Sequence, residues 1–432
     1  MAQAQVAERS ETLAPAFDAF RRDAAFGAGG LGPARSAAFD RFVRQGFPTT
    51  RQEEWRHTSV APIAKIAFEL APVADVSAAN VEPFLFGAEI PHRVVLVNGR
   101  WSKTLSSTAS LPAGVTIRNL RDVPAEAGVD TPGPTPFADL NAAMFEDGVL
   151  IEVAPKTVVA EPLHLLSITV TGTSAALVSP RFVIKVGEQA QVFFVESYAG
   201  LGSGVSWTNT VTRVDVAPDA MVDHVKFQRE QATTFHLAAM MVRVDRAATF
   251  RSHAVTLGAK IARNDLISTL AGEGAECTLD GLYVVGGDSL VDTHTTIDHA
   301  MPHCPSHELY KGILADKARA VFNGKIIVRQ DAQKTNAKQT NKALLLSDEA
   351  TINTKPQLEI FADDVKCTHG AAIGQLDEDA MFYMQARGIG EADARNLLIH
   401  AFAGEVLDGV REDVVRERAM RLLEEKLSLW KV

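Results

Sequence analysis

Three stretches of the chain carry most of the information about its architecture: Val186–Val192 (VGEQAQV), Val216–Val222 (VAPDAMV) and Val244–Phe250 (VDRAATF). Each stretch has an alanine at its fifth position, an apolar residue four places earlier and another apolar residue two places later. The same three-part pattern returns around Ala275, Ala318 and Ala350. Successive alanines of the pattern lie 30, 28, 27, 43 and 32 residues apart.

This pattern describes two short strands joined by a polar corner, because apolar residues at every second position line one face of a strand. A single unit of this kind cannot bury its apolar face, whereas stacked units share a continuous core. Intervals near 30 residues leave too little room for a crossover helix in each repeat. We therefore predict a right-handed parallel β-helix over residues 146–375, with a sandwich of antiparallel hairpins as the alternative. The 43-residue interval predicts an insertion between Ala275 and Ala318.

Helical patterns flank this region on both sides. Residues 1–145 form a helical and mixed region, in which apolar residues from Leu13 onward follow helical spacing. Residues 376–432 are helical again, and their apolar residues from Val415 to Trp430 line one helix face between charges. We expect these C-terminal helices to cap the exposed end of the β-helix, with docking of a partner as the alternative.

The composition argues against several classes of protein. With 43 basic and 53 acidic side chains, the formal net charge is −10, which disfavours a broad nucleic-acid-binding surface. No apolar run reaches the roughly 18 residues of a membrane-spanning helix, and Met1–Glu11 lacks the apolar core of a secretion signal. Three cysteines exclude a disulfide framework. We expect a soluble protein of the reducing cytoplasm with no membrane or nucleic-acid partner.

Motifs for nucleotide hydrolysis and for two common hydrolase classes are missing from the sequence, which contains no GxxxxGK[ST], GxSxG or HExxH. The chain is therefore not expected to be an enzyme. A histidine-rich segment within the predicted insertion carries His294, His299, His303, Cys304 and His307. Its prolines disfavour a helix. We interpret the segment either as a metal-binding loop or as a polar surface loop.

The segment Val365–Gly370 (VKCTHG) carries the most specific pair of candidate metal ligands, Cys367 and His369. On a strand, Cys367 and His369 share one face and lie about 6.6 Å apart along the backbone. A thiolate and an imidazole at this spacing are able to hold one iron or the edge of a cluster. The alternative is a small thiol packed in the core beside a hydrogen-bonded histidine. Because three cysteines cannot supply the usual four thiolates, a cluster held here needs non-thiolate ligands or a second chain.

Several longer segments match a known family. They are Tyr310–Gly312 (YKG), Ala318–Gly324 (ARAVFNG), Lys355–Ile360 (KPQLEI), Ala362–Ala371 (ADDVKCTHGA) and, near the N-terminus, Glu53–Arg56 (EEWR). Together they resemble the SufB/SufD family of iron–sulfur cluster assembly scaffolds. Gly370 stands where SufB-like chains carry an acidic residue after the histidine, so the resemblance is to the SufD branch of that family.

This resemblance implies a fold and a set of partners. The implied fold is a right-handed β-helix flanked by helical regions. The implied partners are SufB, paired through the β-helix, and two copies of the ATP-binding-cassette ATPase SufC, bound through the helices of residues 376–432. The isolated chain is expected to form a homodimer.

The resemblance also implies a non-catalytic scaffold that binds no cofactor stably on its own. A transient iron–sulfur cluster or iron is expected at the interface with SufB, where His369 matches a family histidine and Cys367 the neighbouring cysteine. ATP hydrolysis would belong to SufC, in agreement with the missing P-loop, and support of iron entry is a further expected role.

Two other functions remain open at the level of sequence. One is a β-helix carbohydrate-active enzyme of the secreted type, which needs an exposed groove of carboxylates or basic residues. The other is a homodimeric structural or binding protein that works without SufC.

Overall fold

A computed structural model describes residues 10–430. The molecule is mainly β, and a β-helix of about 8 turns is flanked by N-terminal and C-terminal helices. The helices are α1 (Ala14–Arg21), α2 (Gly32–Gln45), α3 (Ala61–Ala64), α4 (Ala78–Val81), α5 (Pro136–Met144), α6 (Glu378–Gln385), α7 (Glu391–Leu407) and α8 (Asp413–Ser428). Short 3₁₀ helices span Glu11–Leu13, Ala28–Gly30, Glu53–Trp55, Glu82–Phe84, Gly87–Glu89 and Pro124–Glu126.

The strands that precede the regular coils are β1 (Glu69–Leu70), β2 (His92–Val97), β3 (Arg100–Trp101), β4 (Val115–Asn119), β5 (Gly148–Val153), β6 (Leu163–Val170) and β7 (Ala176–Val178). The strands of the regular coils are β8 (Arg181–Val186), β9 (Gln191–Leu201), β10 (Ser206–Val216), β11 (Met221–Arg229), β12 (Thr234–Val244), β13 (Thr249–Thr256), β14 (Ile261–Leu270), β15 (Glu276–Val285), β16 (Leu290–His299), β17 (Pro305–Leu314), β18 (Arg319–Val328), β19 (Asn336–Leu345), β20 (Thr351–Ile360) and β21 (Lys366–Gly374).

Two sheets form the walls of the β-helix. Sheet I has the order β20-β18-β16-β14-β12-β10-β8-β5-β4, with β7 beside β10 and β1 beside β7. Sheet II has the order β21-β19-β17-β15-β13-β11-β9-β6-β2-β3. Each coil adds one parallel strand to each sheet, so that Val186, Val216, Val244 and Leu270 form one row. These parallel registers confirm the predicted β-helix and exclude the antiparallel sandwich.

The corner from sheet I to sheet II has the same backbone conformation in six successive coils. One residue at each of these corners has a left-handed backbone, with φ between 52° and 70°: Gln189, Asp219, Ala247, Gly274, His303 and Lys334. Its N–H donates to a carbonyl of the next coil, as from Asp219 to Arg246 and from His303 to Gln333, each at 2.9 Å. These bonds between coils offset the cost of roughly 1–2 kcal/mol that a left-handed conformation carries at a residue with a side chain.

The predicted insertion between Ala275 and Ala318 is wrong. Ala275 lies at a corner from sheet I to sheet II, whereas Ala318 lies at the opposite corner, between β17 and β18. The next corner of the first kind holds Cys304, about 29 residues after Ala275. The 43-residue interval is therefore one and a half coils of about 29 residues, and the prediction failed because alanine marks both kinds of corner.

The N-terminal helices cover the outer face of sheet I, where Phe47 and Phe137 pack on the fully buried Trp207 at ring distances of 6.0 and 5.7 Å. The C-terminal helices cover the outer face of sheet II, where Ile399 and Leu423 join an apolar cluster with its strands. The expected cap on the end of the β-helix is therefore wrong. The apolar faces of α7 and α8 are buried against a sheet face, because that face is itself apolar.

Candidate functional site

The last coil leaves two strands at the edge of the β-helix. Within residues 10–430, β20 pairs only with β18, and β21 pairs only with β19. Three large apolar side chains near this edge are exposed: Ile360, Phe361 and Ile373. Unpaired strand edges with exposed apolar groups are the kind of surface that another sheet can extend.

The two predicted ligands lie in β21 on this edge. The thiol of Cys367 is half-buried and packs beside Ile326 and Ala337. Burial raises the pKa of Cys367, so the thiol holds its proton at neutral pH. His369 follows two residues later and is exposed to solvent. The structure therefore places both side chains on one strand, one half-covered and the other open.

A row of polar side chains runs from His369 into the β-helix. His369 is in register with Gln339, and Gln339 is in register with Glu308. Both inner residues are fully buried, and Gln339 Nε2 donates to Glu308 Oε2 at 2.6 Å. Gly324 on the opposite sheet makes room for this pair, because a Cβ there would lie 2.1 Å from Gln339 Nε2.

The carboxyl group at the inner end of this row has a raised pKa. Burial raises the pKa of Glu308 to about 7. Gln339 Oε1 and Asn341 Oδ1 are also buried, and neither has a hydrogen-bond partner in the described part of the chain. Such acceptors are costly to leave unpaired, so this part of the interior favours a donor such as water or a protonated group.

In the part of the chain that the structure describes, no group of three or more His, Cys, Asp or Glu residues is arranged to hold a metal ion. Cys367 and His369 therefore offer two ligands, and a tetrahedral iron site needs four.

The other two cysteines differ from Cys367 in burial. Cys277 and Cys304 are both at most 1% exposed. Burial raises the pKa of Cys277 to about 12, and it raises the pKa of Cys304 as well. Their thiols are therefore protonated core side chains at neutral pH.

The histidine-rich segment does not form one loop around a common centre. His294 lies on the outer face of sheet I and His307 on the outer face of sheet II, where His307 Nδ1 is 3.6 Å from Asp280 Oδ1. His299 is fully buried at the end of β16 and lies 3.0 Å from Ser306 Oγ. His303 is one of the left-handed corner residues. These four side chains serve separate local contacts.

Sequence reasoning missed a buried polar network inside the middle coils. Lys226 Nζ lies 3.0 Å from His236 Nε2 and 2.7 Å from Asn264 Oδ1. His236 Nδ1 lies 2.7 Å from Glu230 Oε2, and Glu196 accepts a hydrogen bond from Tyr198. Burial lowers the pKa of Lys226 to about 8. The available signal was the position of Lys226 in β11, two residues after His224 and four after Val222, on the inward face.

The C-terminal helices connect to the strands beside the candidate ligands. Lys311 of β17 donates to the carbonyl of Phe402 at 2.6 Å and pairs with Glu405 at 2.5 Å. Lys342 of β19 also pairs with Glu405, at 3.3 Å. Helix α7 is thus bonded to the two strands that precede β21 in sheet II.

The same helices also present unburied apolar groups. The side chains of Phe382, Tyr383, Leu397 and Leu429 are at least half exposed. A single exposed apolar side chain needs no explanation, but several on neighbouring helices are typical of an interaction surface. Across residues 10–430, none of the helices has both the length and the apolar character that crossing a membrane requires.

Comparisons with known proteins agree with these features. Residues 168–402 match the family described as SUF system FeS cluster assembly, SufBD core domain, and residues 28–165 match the SufBD protein N-terminal region. An iron–sulfur cluster assembly SufBD family protein of Synechocystis sp. is 35% identical over 392 residues, which cover 87% of this chain and 86% of the relative.

Two further relatives are similar to this chain over different lengths. The iron–sulfur cluster assembly protein SufD of Escherichia coli is 30% identical over 404 residues, which cover 91% of this chain and 93% of that protein. The chloroplastic protein ABCI7 of Arabidopsis thaliana is 36% identical over 243 residues, which cover 56% of this chain and 51% of the relative. The resemblance read from the sequence motifs is confirmed, and the chain belongs to the SufBD family of iron–sulfur cluster assembly proteins.

Proposed function

We propose that the chain is a non-catalytic scaffold subunit that takes the place of SufD in a complex with SufB and the ATPase SufC. The observation that carries this proposal is the open last coil, where Cys367 and His369 lie on an edge strand. The iron or cluster is cargo under assembly at this edge and not a resident cofactor. Because two side chains do not complete a cluster site, a partner supplies the other ligands.

SufB is the proposed supplier of those ligands. The edge strands β20 and β21 offer unpaired backbone groups from both sheets, and Ile360 and Phe361 add apolar surface. A second β-helix of the same family would extend both sheets by strand addition. When SufB is missing, a second copy of this chain takes the same edge, which accounts for the proposed homodimer.

SufC is the proposed source of motion. The exposed apolar groups on the C-terminal helices form its docking surface, as with Phe382 and Leu397. Movement of α7 passes to β17 and β19 through Lys311, Lys342 and Glu405. Those strands carry β21, so the movement opens the last coil and exposes the thiol of Cys367 to incoming iron. The metal then displaces the thiol proton.

Two further expectations belong to this proposal. The exposed imidazole of His369 is the first ligand that iron meets, which fits a role in iron acquisition. We place the complex in the cytoplasm because all three cysteines are free thiols, as reducing compartments favour.

The test is cluster reconstitution on the complex with SufB and SufC, followed by its visible absorbance. His369→Ala should lower the cluster yield by about tenfold or more, a loss typical for groups that hold a metal or its ligands. Thr368→Ala, a neighbouring change in the same strand, should leave the yield unchanged. Gel filtration must show both variants in intact complexes. An undiminished yield with His369→Ala rejects the assigned site.

A further inference from the structure

The EEWR segment borders a second site that the assembly function does not use. Residues 50–57 and the outer face of sheet I enclose a cleft of about 710 Å³, within the size range of small-molecule pockets. Its floor is formed by β16, β18 and β20. The cleft lies mainly on sheet I, and Ile373 of β21, the strand that carries Cys367 and His369, completes its lining.

Two residues of the segment fix it to sheet I. The guanidinium of Arg263 lies 3.7 Å from the ring centre of Trp55 and donates to the carbonyl of Glu54 at 2.7 Å. The Glu54 carboxylate lies 3.2 Å from His294 Nδ1. Arg263 is 2% exposed and Trp55 is 5% exposed, so the segment is held rigidly at the rim of the cleft.

Every carboxylate that lines the cleft already has a cationic partner. Glu53 pairs with Lys355, and Glu54 pairs with His294. Asp292 pairs with Arg263 at 2.7 Å and with His294 at 3.0 Å. Acidic groups of the cleft are therefore neutralised locally.

The basic groups at the mouth are not neutralised in this way. Arg51, Arg56 and His57 line the cleft and are exposed. None of the three has a side-chain hydrogen bond or ion pair with any described residue of the chain. Two guanidinium groups thus carry uncompensated positive charge, and guanidinium groups bind phosphate with paired hydrogen bonds.

A buried amide on the floor lacks one partner. Asn323 is 5% exposed, and its Nδ2 donates to Glu54 Oε2 at 3.3 Å. Because a carboxylate only accepts, this bond fixes the orientation of the amide. Asn323 Oδ1 is then a buried acceptor without a hydrogen-bond partner among the described residues, and Asn323 lines the cleft. An orphaned acceptor of this kind needs a donor from a ligand or water.

We propose that the cleft binds a small phosphorylated molecule that carries hydroxyl groups. Arg51 and Arg56 hold the phosphate at the mouth, and a hydroxyl of the ligand donates to Asn323 Oδ1 on the floor. The EEWR segment then has two roles, since Glu54 and Trp55 fix it to the sheet while Arg56 faces the ligand. The site does not use Cys367 or His369, but β20 and Ile373 also belong to the edge that is proposed to bind SufB, so ligand binding is measured on this chain without SufB.

The test is isothermal titration of the full chain with ribose 5-phosphate and with inorganic phosphate. Ribose 5-phosphate should bind at least about tenfold more tightly, since only it carries sugar hydroxyls that reach the floor while its phosphate is held at the mouth. The double variant Arg51→Gln/Arg56→Gln should weaken both ligands by about tenfold or more. The matched control Arg44→Gln, an exposed arginine on α2, should change neither.

A second variant separates the two parts of the site. Asn323→Leu should reduce the affinity for ribose 5-phosphate to that of inorganic phosphate and leave phosphate binding unchanged. Thermal unfolding of each variant verifies that it is folded. Absence of saturable binding overturns the proposal, as does an equal loss with Arg44→Gln. Equal affinity of the native chain for the two ligands also overturns it.

Discussion

In the middle coils, the inward-facing Glu196 has a pKa of about 2, whereas in the last coils the inward-facing Glu308 has a pKa of about 7. Burial on its own would raise the pKa of both carboxyl groups. At Glu196 the imidazole of His224, with Nε2 3.6 Å from Oε2, the hydrogen bond from Tyr198 and the charge of Lys226 outweigh burial, so the carboxylate stays ionised. At Glu308 the hydrogen bonds come from neutral side chains and do not outweigh it.

The two pKa values reflect two kinds of polar interior. The polar groups of the middle coils support the fold, whereas some of those in the last coils lack hydrogen-bond partners among the described residues. The middle coils have strands on both sides and contain their own counter-charge, so their charged groups form a closed network, although Gln228 Oε1 has no hydrogen-bond partner among the described residues. The last coils end at an open edge, and acceptors such as Gln339 Oε1 have no partner within residues 10–430. Unsatisfied buried polar groups in native proteins are often linked to function, and here they lie behind the candidate ligand His369.

The largest effect is expected from breaking the closed network at Lys226. Lys226→Met keeps the apolar stem but leaves Glu196 and Glu230 without their buried cation. Removal of one partner from a buried charge network costs about 3–5 kcal/mol, so the free energy of unfolding should fall by this amount. Denaturant unfolding measures it. The same substitution at the exposed Lys338 should change it by no more than about 0.5 kcal/mol. Equal effects at the two sites would contradict the comparison.

A smaller and pH-dependent effect is expected at Glu308. The ordinary pKa of this carboxyl is 4.5, and the folded chain holds the proton up to about pH 7. The folded state therefore binds more protons than the unfolded state between these values. The contribution of Glu308 to stability is therefore largest below pH 4.5 and falls as the pH rises towards 7, by at most about 3 kcal/mol.

Glu308→Gln removes this pH dependence because the amide stays neutral. The stability of the variant relative to the native chain should therefore increase between pH 5 and pH 8, as measured by urea unfolding. Glu349→Gln, at an exposed carboxylate paired with Lys317, serves as the matched control and should show no such increase. If the difference in stability between Glu308→Gln and the native chain stays constant between pH 5 and pH 8, Glu308 is ionised inside the β-helix.

The fold was largely predictable, because inward alternation and a recurring corner are visible along the sequence. Two details were not. Ala275 and Ala318 look alike in sequence although they occupy opposite corners, since both corners need a small buried residue. The apolar stripe of α8 was also visible, but a stripe says nothing about which surface it covers, and the helix packs on sheet II instead of the open end.

The candidate site was only partly predictable. The spacing of Cys367 and His369 was sufficient to place both on one strand face, and β21 has that form. The row behind them was missed because Gln339 and Glu308 look like surface residues at alternate positions of a strand. Their burial depends on which neighbours the parallel register brings together, and this register is not visible in a single strand.

The smallest effect in this series is a difference in thiol reactivity between the closed and open interiors. With a pKa of about 12, only about one in 10⁴ of the Cys277 thiols is ionised at pH 8, and the side chain is 1% exposed. Cys367 is half-buried near the open edge. Alkylation by iodoacetamide at pH 8, followed by mass spectrometry, should modify Cys367 at least about a hundredfold faster than Cys277.

Repeating the alkylation at lower protein concentration tests whether a second copy of the chain covers the edge. If a second copy covers the edge of β21, alkylation of Cys367 should become faster as the dimer dissociates, whereas the rate at Cys277 should not change. Alkylation in urea provides the reference, since all three cysteines then react alike. A native chain in which Cys277 reacts as fast as Cys367 would show that the middle coils open as readily as the last one. The contrast between a closed network and an incomplete edge would then have no basis in the dynamics of the β-helix.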